Sequence, residues 1–252
     1  MNKETQSIVT GMLGGLLVSI TLSGRFTSYV KPGFKPVLLS AGALLMVIAV
    51  VSLILVLRDD SKRPVNSGDH DEAGHDGHQH GTRAPWLILV PVLVLLFVAP
   101  PALGADAASR GISCGTPPPA GTTYPSRRTE VSEPLPAGNP VLLTMQEFVQ
   151  RSLYDSSYST VSSDVRVIAF IAESPCDGNG YSLVRLKIAC CAADAFALRT
   201  HVDAAPPHPA NTWVEATIRA VKNTGDQSDN YVPSATVIVM TTIPQPADPY
   251  LT

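Results

Sequence analysis

The chain has 252 residues, of which 45% are hydrophobic, and its formal net charge at pH 7 is −3. This length is compatible with one large domain or two small ones, and the slightly acidic balance argues against a nucleic-acid partner. The four cysteines form no C-x-x-C pair, which excludes a zinc ribbon.

Long apolar runs dominate the N-terminal part of the chain, at residues 7–24, 37–57 and 85–104. Each run is close to the ~20 residues that cross a ~30 Å hydrocarbon core, and none contains a charged residue or a histidine. Uncharged runs of this length favour membrane spans over the buried core helices of a soluble protein. The sequence therefore predicts a domain of three transmembrane helices over residues 1–104.

Charge and composition together predict the orientation of the chain in the membrane. With a cytoplasmic N-terminus, five basic residues flank the runs inside and four flank them outside, a small positive-inside bias. The stretch after residue 104 is rich in Pro, Ser and Thr and leads into a lysine-poor region, as in exported segments. We expect a multi-pass protein of the cell membrane, in contact with lipid, whose C-terminal domain is extracytoplasmic.

A histidine-rich loop separates the second and third runs, at residues 68–81. It holds four of the six histidines of the chain, interleaved with acidic residues and glycines. Imidazole and carboxylate groups suit Zn²⁺, Ni²⁺ or Cu²⁺, whereas the alternative is a solvated spacer that happens to be rich in histidine. The predicted metal ligands of this loop are His70, His75, His78, His80, Asp71 and Asp76.

The rest of the chain reads as a linker followed by a small β domain. Residues 105–140 are Pro-rich and predict an extended stalk. A capping box from Thr144 to Glu147 predicts a short helix over 145–153. Alternating segments between turn signals predict five strands, at 164–172, 183–191, 199–203, 212–221 and 235–243. This content favours an OB-like β-barrel domain over residues 141–252, and the whole fold class is membrane α plus β.

The strand predicted at 183–191 ends in two adjacent cysteines. Its alternation places Cys190 on the core side with Ile188, and Cys191 on the side of Arg185. Cys190 is therefore expected to be a small buried hydrophobe. A neighbouring cation increases thiol reactivity, so Cys191 is the candidate functional thiol.

These cysteines also suggest a second metal site. A soft thiolate combined with harder ligands suits zinc, so Cys191 and Asp194 are predicted ligands, with His201 as a further option. A disulfide between the adjacent cysteines would need a strained ring. In an oxidising compartment Cys114 and Cys176 could pair instead and tie the linker to the domain.

No catalytic motif is present, because the chain lacks G-x-S-x-G, a Walker loop and H-E-x-x-H. We therefore expect a protein that is not an enzyme, with no catalytic residues and no organic cofactor. Transport by this chain alone is also not expected, since the apolar runs offer no polar pathway.

The order of segments resembles the YcgQ-like family of bacterial membrane proteins, which are described as permease subunits. The resemblance rests on the loop at 24–36, the motif Cys-Cys-Ala-Ala-Asp-Ala at 190–195, and the closing segment that ends in Pro249 and Tyr250. It covers nearly the whole chain. It implies a partnership with a multi-span permease of the YcgR/YraQ type and a link to metal-ion handling.

The functional hypothesis is an accessory subunit of a permease, anchored in the membrane and involved in the homeostasis or transport of a divalent metal such as zinc. A second hypothesis is a thiol-redox or metal-delivery protein that acts on a membrane partner through Cys190 and Cys191. A third is a structural scaffold.

Overall fold

The computed structural model describes residues 3–60, 101–110, 129–174, 180–226 and 229–252. The His-rich loop, Cys114 and Cys176 lie outside the described residues. The chain divides into two compact units, Met1–Phe26 with Pro32–Pro101, and Thr27–Lys31 with Ala102–Thr252.

Two apolar helices form the described part of the first unit. Helix α1 spans Lys3–Leu22 and helix α2 spans Lys35–Asp60. They approach closely at glycines: a Cβ atom added to Gly14 would lie 2.9 Å from the carbonyl oxygen of Gly42. Small residues allow two helix backbones to come this near to each other, which is how apolar helices pack in lipid.

The predicted set of three transmembrane helices is wrong for the part of the chain that the structure describes. There, one helix, Pro32–Arg58, has the length (27 residues) and the mean hydropathy (2.8) needed to cross a membrane. The apolar part of α1, Gln6–Leu22, falls short because the helix begins with polar residues. The third run, at 85–104, lies outside the described residues as far as residue 100.

The second unit combines short helices with a sheet. Its α-helices are α3 (Ala105–Ser109), α4 (Met145–Tyr154) and α5 (Ser159–Ser162). Its strands are β1 (Val141–Leu142), β2 (Val165–Glu173), β3 (Tyr181–Lys187), β4 (Phe196–Val202), β5 (Trp213–Ala220) and β6 (Ala235–Thr242). A 3-10 turn of this unit lies at Ala192–Asp194. Another, at Pro32–Phe34, belongs to the first unit, and that at Arg25–Ser28 contains the end of one segment of the first unit and the start of the second.

The strands form one six-stranded sheet in the order β4-β3-β2-β5-β6, with β1 paired to the start of β2. All pairings are antiparallel except β1 with β2. This α+β arrangement replaces the predicted OB-like barrel of five strands. The added strand, Val141–Leu142, has two residues and is too short to show an alternating pattern.

Local sequence signals position the elements well. Helix α4 begins at the predicted capping box: the Glu147 amide donates to Thr144 Oγ1 at 3.2 Å, and the Thr144 amide donates to Glu147 Oε2 at 2.8 Å. In β5 alternate residues are buried, as the period-two pattern predicted. By contrast, Ala105–Ser109 lies at the start of the predicted extended linker but is helical, and Ala108 in it is buried.

Two core clusters result. The larger one contains Phe148 of α4 together with apolar residues of β2 and β5. The smaller one contains Phe170, Leu186, Ile188 and Tyr250, with α3 packed against it. The smaller cluster ends where β3 emerges at the surface, and it is this end that positions the two adjacent cysteines.

Candidate metal centre

The chain leaves the sheet just before the adjacent cysteines. β3 ends at Lys187, which pairs with Phe196, the first residue of β4. Ile188 is still fully buried and its amide donates to the Leu251 carbonyl at 2.9 Å, but Cys190 is exposed. The expected burial of Cys190 is therefore wrong, because the period-two alternation stops before the chain reaches it.

Asp194 organises the turn that follows. Its Oδ1 accepts a hydrogen bond from the Ala189 amide at 2.8 Å. Its Oδ2 accepts from the amides of Cys190 at 2.8 Å and Cys191 at 3.2 Å. One carboxylate thus satisfies three consecutive backbone donors, and it fixes the backbone that carries both thiols.

The same carboxylate meets the thiols. Cys190 Sγ donates to Asp194 Oδ2 at 2.8 Å and lies 3.6 Å from Cys191 Sγ. The ligand atoms of Cys190, Cys191 and Asp194 all lie within 4.8 Å of one another. In a tetrahedral zinc site with Zn–S bonds of about 2.3 Å, two sulfurs are about 3.8 Å apart, so the thiols already have nearly the required separation.

Hydrogen bonding sets the charge of this group. The bond from Cys190 to the Asp194 carboxylate, reinforced by Cys191, raises the pKa of Cys190 to about 11. The same bond, together with the backbone amides, lowers the pKa of Asp194 to about 2. At neutral pH Cys190 is therefore a thiol that donates to a carboxylate, and it has to lose this proton before its sulfur can bind a metal ion as a thiolate.

The cations expected beside Cys191 interact elsewhere. Arg185 is buried, its guanidinium lies 4.8 Å from the centre of the Trp213 ring, and its Nη2 donates to the Asp248 carbonyl at 2.6 Å. Lys187 Nζ donates to Gln146 Oε1 at 2.7 Å. Arg185 and Lys187 alternate with apolar residues as predicted, but β3 ends at Lys187. The cysteines therefore do not share the face of the strand that carries these two cations.

A segment distant in sequence completes the turn. Residues Thr27–Lys31, which we call the strap, belong to the second unit. The Lys31 amide donates to the Cys190 carbonyl at 3.1 Å, and the Ala192 amide donates to the Tyr29 carbonyl at 2.7 Å. Val30 and Cys191 thus form an antiparallel bridge. Sequence reasoning missed this contact, since no periodic pattern links these residues.

Tyr250 holds the strap in place. Its buried hydroxyl accepts from the Leu103 amide at 2.8 Å and donates to the Ser28 carbonyl at 3.0 Å. Thr27 Oγ1 also donates to the Ala247 carbonyl at 2.9 Å. The closing Pro-Tyr segment, noted in the sequence only as part of a resemblance, therefore helps to hold the strap that pairs with Cys191.

Among the described residues, the remaining predicted ligand, His201, does not lie at this centre. His201 pairs with Ser182 toward the opposite end of the β3–β4 ladder, where Ser174 Oγ lies 3.2 Å from its Nδ1. It is absent from the cluster formed by the two cysteines and Asp194. The predicted ligands in the loop at 68–81 lie outside the described residues, as do Cys114 and Cys176 with their predicted pairing.

Comparison with known proteins identifies the family. Residues 6–113 match the model of the DUF1980 N-terminal domain, and residues 121–251 match that of the DUF1980 C-terminal domain. No curated protein and no solved structure gives a significant match. The predicted membership of a YcgQ-like permease family is corrected by these matches, since neither description names a permease and no named relative supports one. The chain belongs to the DUF1980 family and carries its N-terminal and C-terminal domains in order.

Proposed function

We propose that the protein is a membrane-anchored metal-binding protein that holds a divalent transition metal, preferably Zn²⁺, through Cys190, Cys191 and Asp194. The observation that carries this proposal is the convergence of two sulfurs and a carboxylate within 4.8 Å at the surface. Metal binding would replace the proton that Cys190 now donates to Asp194.

The donor set favours zinc over harder ions. Two thiolates and one carboxylate match a borderline-soft cation, whereas Mg²⁺ and Ca²⁺ prefer oxygen ligands alone. With Zn–S and Zn–O bonds of about 2.3 and 2.0 Å, the sulfur and oxygen would lie about 3.5 Å apart. Cys190 Sγ and Asp194 Oδ2 are 2.8 Å apart, so this contact has to open by about 0.7 Å before both atoms can bind one zinc ion.

The helices of the first unit support anchoring in the membrane. Large apolar side chains of α2 are more than half exposed, including Leu44 (61%), Leu55 (60%) and Val47 (59%). Leaving this surface in water is unfavourable by about 25 cal/mol per Å², whereas in lipid the penalty disappears. The proposal also includes a role in metal transport beside a multi-span permease, which co-purification of the two proteins would test. It further includes an extracytoplasmic position of the C-terminal domain, which cysteine labelling would test.

Thiol-redox activity is the second candidate, because the two sulfurs are only 3.6 Å apart. The nucleophile in thiol exchange is the thiolate, however, and hydrogen bonding raises the pKa of Cys190 to about 11. Cys190 is thus a poor attacking group at neutral pH. A metal ion must also displace this proton, so the pKa alone does not separate the two functions. The third donor does, because the Asp194 carboxylate beside both thiols completes a ligand set that thiol exchange does not need.

The test is zinc binding by the full chain in detergent, measured by calorimetry and by metal analysis. Replacing both site thiols, Cys190→Ser with Cys191→Ser, should weaken binding at one site by about 100-fold or more, since even supporting residues of metal sites contribute about 10–100-fold. The matched control is Cys114→Ser with Cys176→Ser, which removes two thiols elsewhere. Unchanged zinc stoichiometry and affinity in the first variant would refute the proposal.

The same zinc-binding measurements are made on a variant of the His-rich loop. Replacing His70, His75, His78 and His80 by alanine should remove separate sites that weaken below pH ~6.5, where imidazole is protonated. If those replacements remove all bound zinc, the loop and not the cysteine site is the metal-binding element.

A further inference from the structure

We infer that a zinc ion bound by Cys190, Cys191 and Asp194 keeps its fourth coordination position open to an external donor. The site would then pass metal to an incoming thiolate or nitrogen ligand by direct exchange, and would not store it in a closed shell. This inference rests on the proposed function and adds to it the way in which metal enters and leaves.

The first observation is the number of donors. Among the described residues, the group contains three ligand side chains, Cys190, Cys191 and Asp194. Structural zinc sites are closed by four protein ligands, whereas sites that react with incoming molecules use three and leave the fourth position to water or substrate. The described donor set therefore corresponds to the open class.

The second observation is the identity of the neighbouring residues. The residues beside and between the three donors are all alanines: Ala189, Ala192, Ala193 and Ala195. A methyl group has no lone pair to offer, so none of these side chains can close the shell.

The backbone oxygens of the two cysteines accept hydrogen bonds as well. The carbonyl of Cys190 accepts from the Lys31 amide at 3.1 Å, and that of Cys191 accepts from the Asp194 amide at 3.1 Å. The strap contributes through its backbone as well, since the Tyr29 carbonyl accepts from the Ala192 amide at 2.7 Å. These three oxygens therefore already accept hydrogen bonds that connect the turn internally and to the strap.

The third observation is access. Cys190 is exposed, Ala193 is exposed, and Phe196 at the start of β4 is 51% exposed. An external donor can therefore approach the thiols from solvent without displacing a core side chain. Phe196 follows Asp194 by two residues, and its exposed ring offers an apolar contact to a molecule that approaches this turn.

The experiment measures the kinetics of zinc transfer from the full chain in detergent to the chelator 4-(2-pyridylazo)resorcinol. A second sample carries the four histidine-to-alanine replacements, so that the loop contributes no metal. The phase of interest is present in both samples and missing after Cys190→Ser with Cys191→Ser. If the fourth position is open, the rate of this phase rises in proportion to the chelator, about tenfold for tenfold chelator, because the chelator attacks the bound ion directly.

A closing variant provides the matched comparison. Ala193→His adds an imidazole at the exposed position directly before Asp194. If this imidazole supplies the fourth ligand, transfer should become slower and independent of chelator concentration, whereas Ala193→Gln, of similar size, should leave it unchanged. A rate in the unmodified chain that is independent of chelator would overturn the inference. So would a dependence that appears only after the loop histidines are removed, because the loop would then be the fourth ligand. Absence of the phase from the unmodified chain would instead refute the proposed function itself.

Discussion

The Asp194 carboxylate has two roles in the candidate metal centre: it fixes the backbone of the turn, and it supplies one of the three candidate ligand atoms. It accepts from the amides of Ala189, Cys190 and Cys191, and it receives the thiol hydrogen bond of Cys190. A side chain that shapes its own binding loop is preorganised, because the ligand backbone is fixed before the ion arrives. The sequence predicted Asp194 as a metal ligand but gave no sign of this structural role.

The exposure of Cys190 leads to a stability prediction. Cys190→Ser should change the free energy of unfolding by less than about 0.5 kcal/mol, as expected for a surface substitution. The control is Ile188→Ala two residues earlier, at a fully buried position, which should cost about 2–5 kcal/mol. Thermal unfolding of both variants without metal is the measurement. Equal destabilisation by the two changes would mean that Cys190 is part of the core.

A buried acid makes stability depend on pH. Asp155 has 0% exposed surface; burial alone would raise its pKa, but hydrogen bonds from Ser159 and Ser157 outweigh burial and hold the pKa well below its usual range. Because the folded-state pKa lies below the unfolded value of about 3.9, the stabilisation is fully present above that pH and is lost as pH falls below it.

The corresponding measurement is the melting temperature between pH 7 and pH 3. The unmodified chain should lose stability more steeply below pH ~4 than Asp155→Asn, whose amide does not titrate. The matched control is Asp203→Asn at an exposed position, which should keep the steep decline. Identical pH profiles for Asp155→Asn and the unmodified chain would contradict the assignment.

At the scale of elements, the sequence predicts those features that local chemistry determines. The cap of α4 and the alternation of β5 depend on neighbouring residues alone, and both are confirmed. The end of β3 was misplaced, because it depends on the partner that β4 offers and on contacts from the strap. The donors Cys191 and Asp194 could thus be proposed from the sequence, whereas the participation of Cys190 required the turn itself.

The hydroxyl of Tyr250 connects the strap to Leu103. Tyr250→Phe removes the acceptor of the Leu103 amide and the donor to the Ser28 carbonyl, both in a partly buried setting. Unpaired groups of this kind cost about 1–3 kcal/mol, so the melting temperature should fall measurably. Tyr154→Phe, at a tyrosine that is 36% exposed, is the control and should have little effect. No difference between the two variants would show that the strap is held by other contacts.

The packing of α1 against α2 can be tested at adjacent glycines. A Cβ atom at Gly14 would lie 2.9 Å from the Gly42 carbonyl oxygen and 3.0 Å from Leu45 Cβ, whereas one at Gly15 would meet its nearest atom at 3.8 Å. Gly14→Ala should therefore force the helices apart, while Gly15→Ala is accommodated. The measurement is the thermal stability of the full chain in detergent. Equal behaviour of the two alanine variants would mean that this close approach does not limit packing.

At the scale of the whole molecule, the proposed anchoring in the membrane raises the question of the side on which the second unit lies. The charge balance and the Pro-rich stretch predict an extracytoplasmic C-terminal domain. In a background with all four native cysteines replaced by serine, Ser126→Cys should react with a membrane-impermeant maleimide in intact cells. Ser61→Cys, predicted to be cytoplasmic, should react only after lysis. The reverse pattern would place the domain inside the cell.

The strap affects when, during synthesis of the chain, the turn with the two cysteines can take its final structure. Tyr29 and Lys31 leave the ribosome long before the cysteines that they bridge, and Leu251, which pairs with both Leu186 and Ile188, leaves it long after them. Contacts between residues so distant in sequence form late, because the intervening chain must first be ordered. The thiols therefore reach their final arrangement only when both flanking segments have docked. The proposed metal site would therefore be complete only in a fully folded chain.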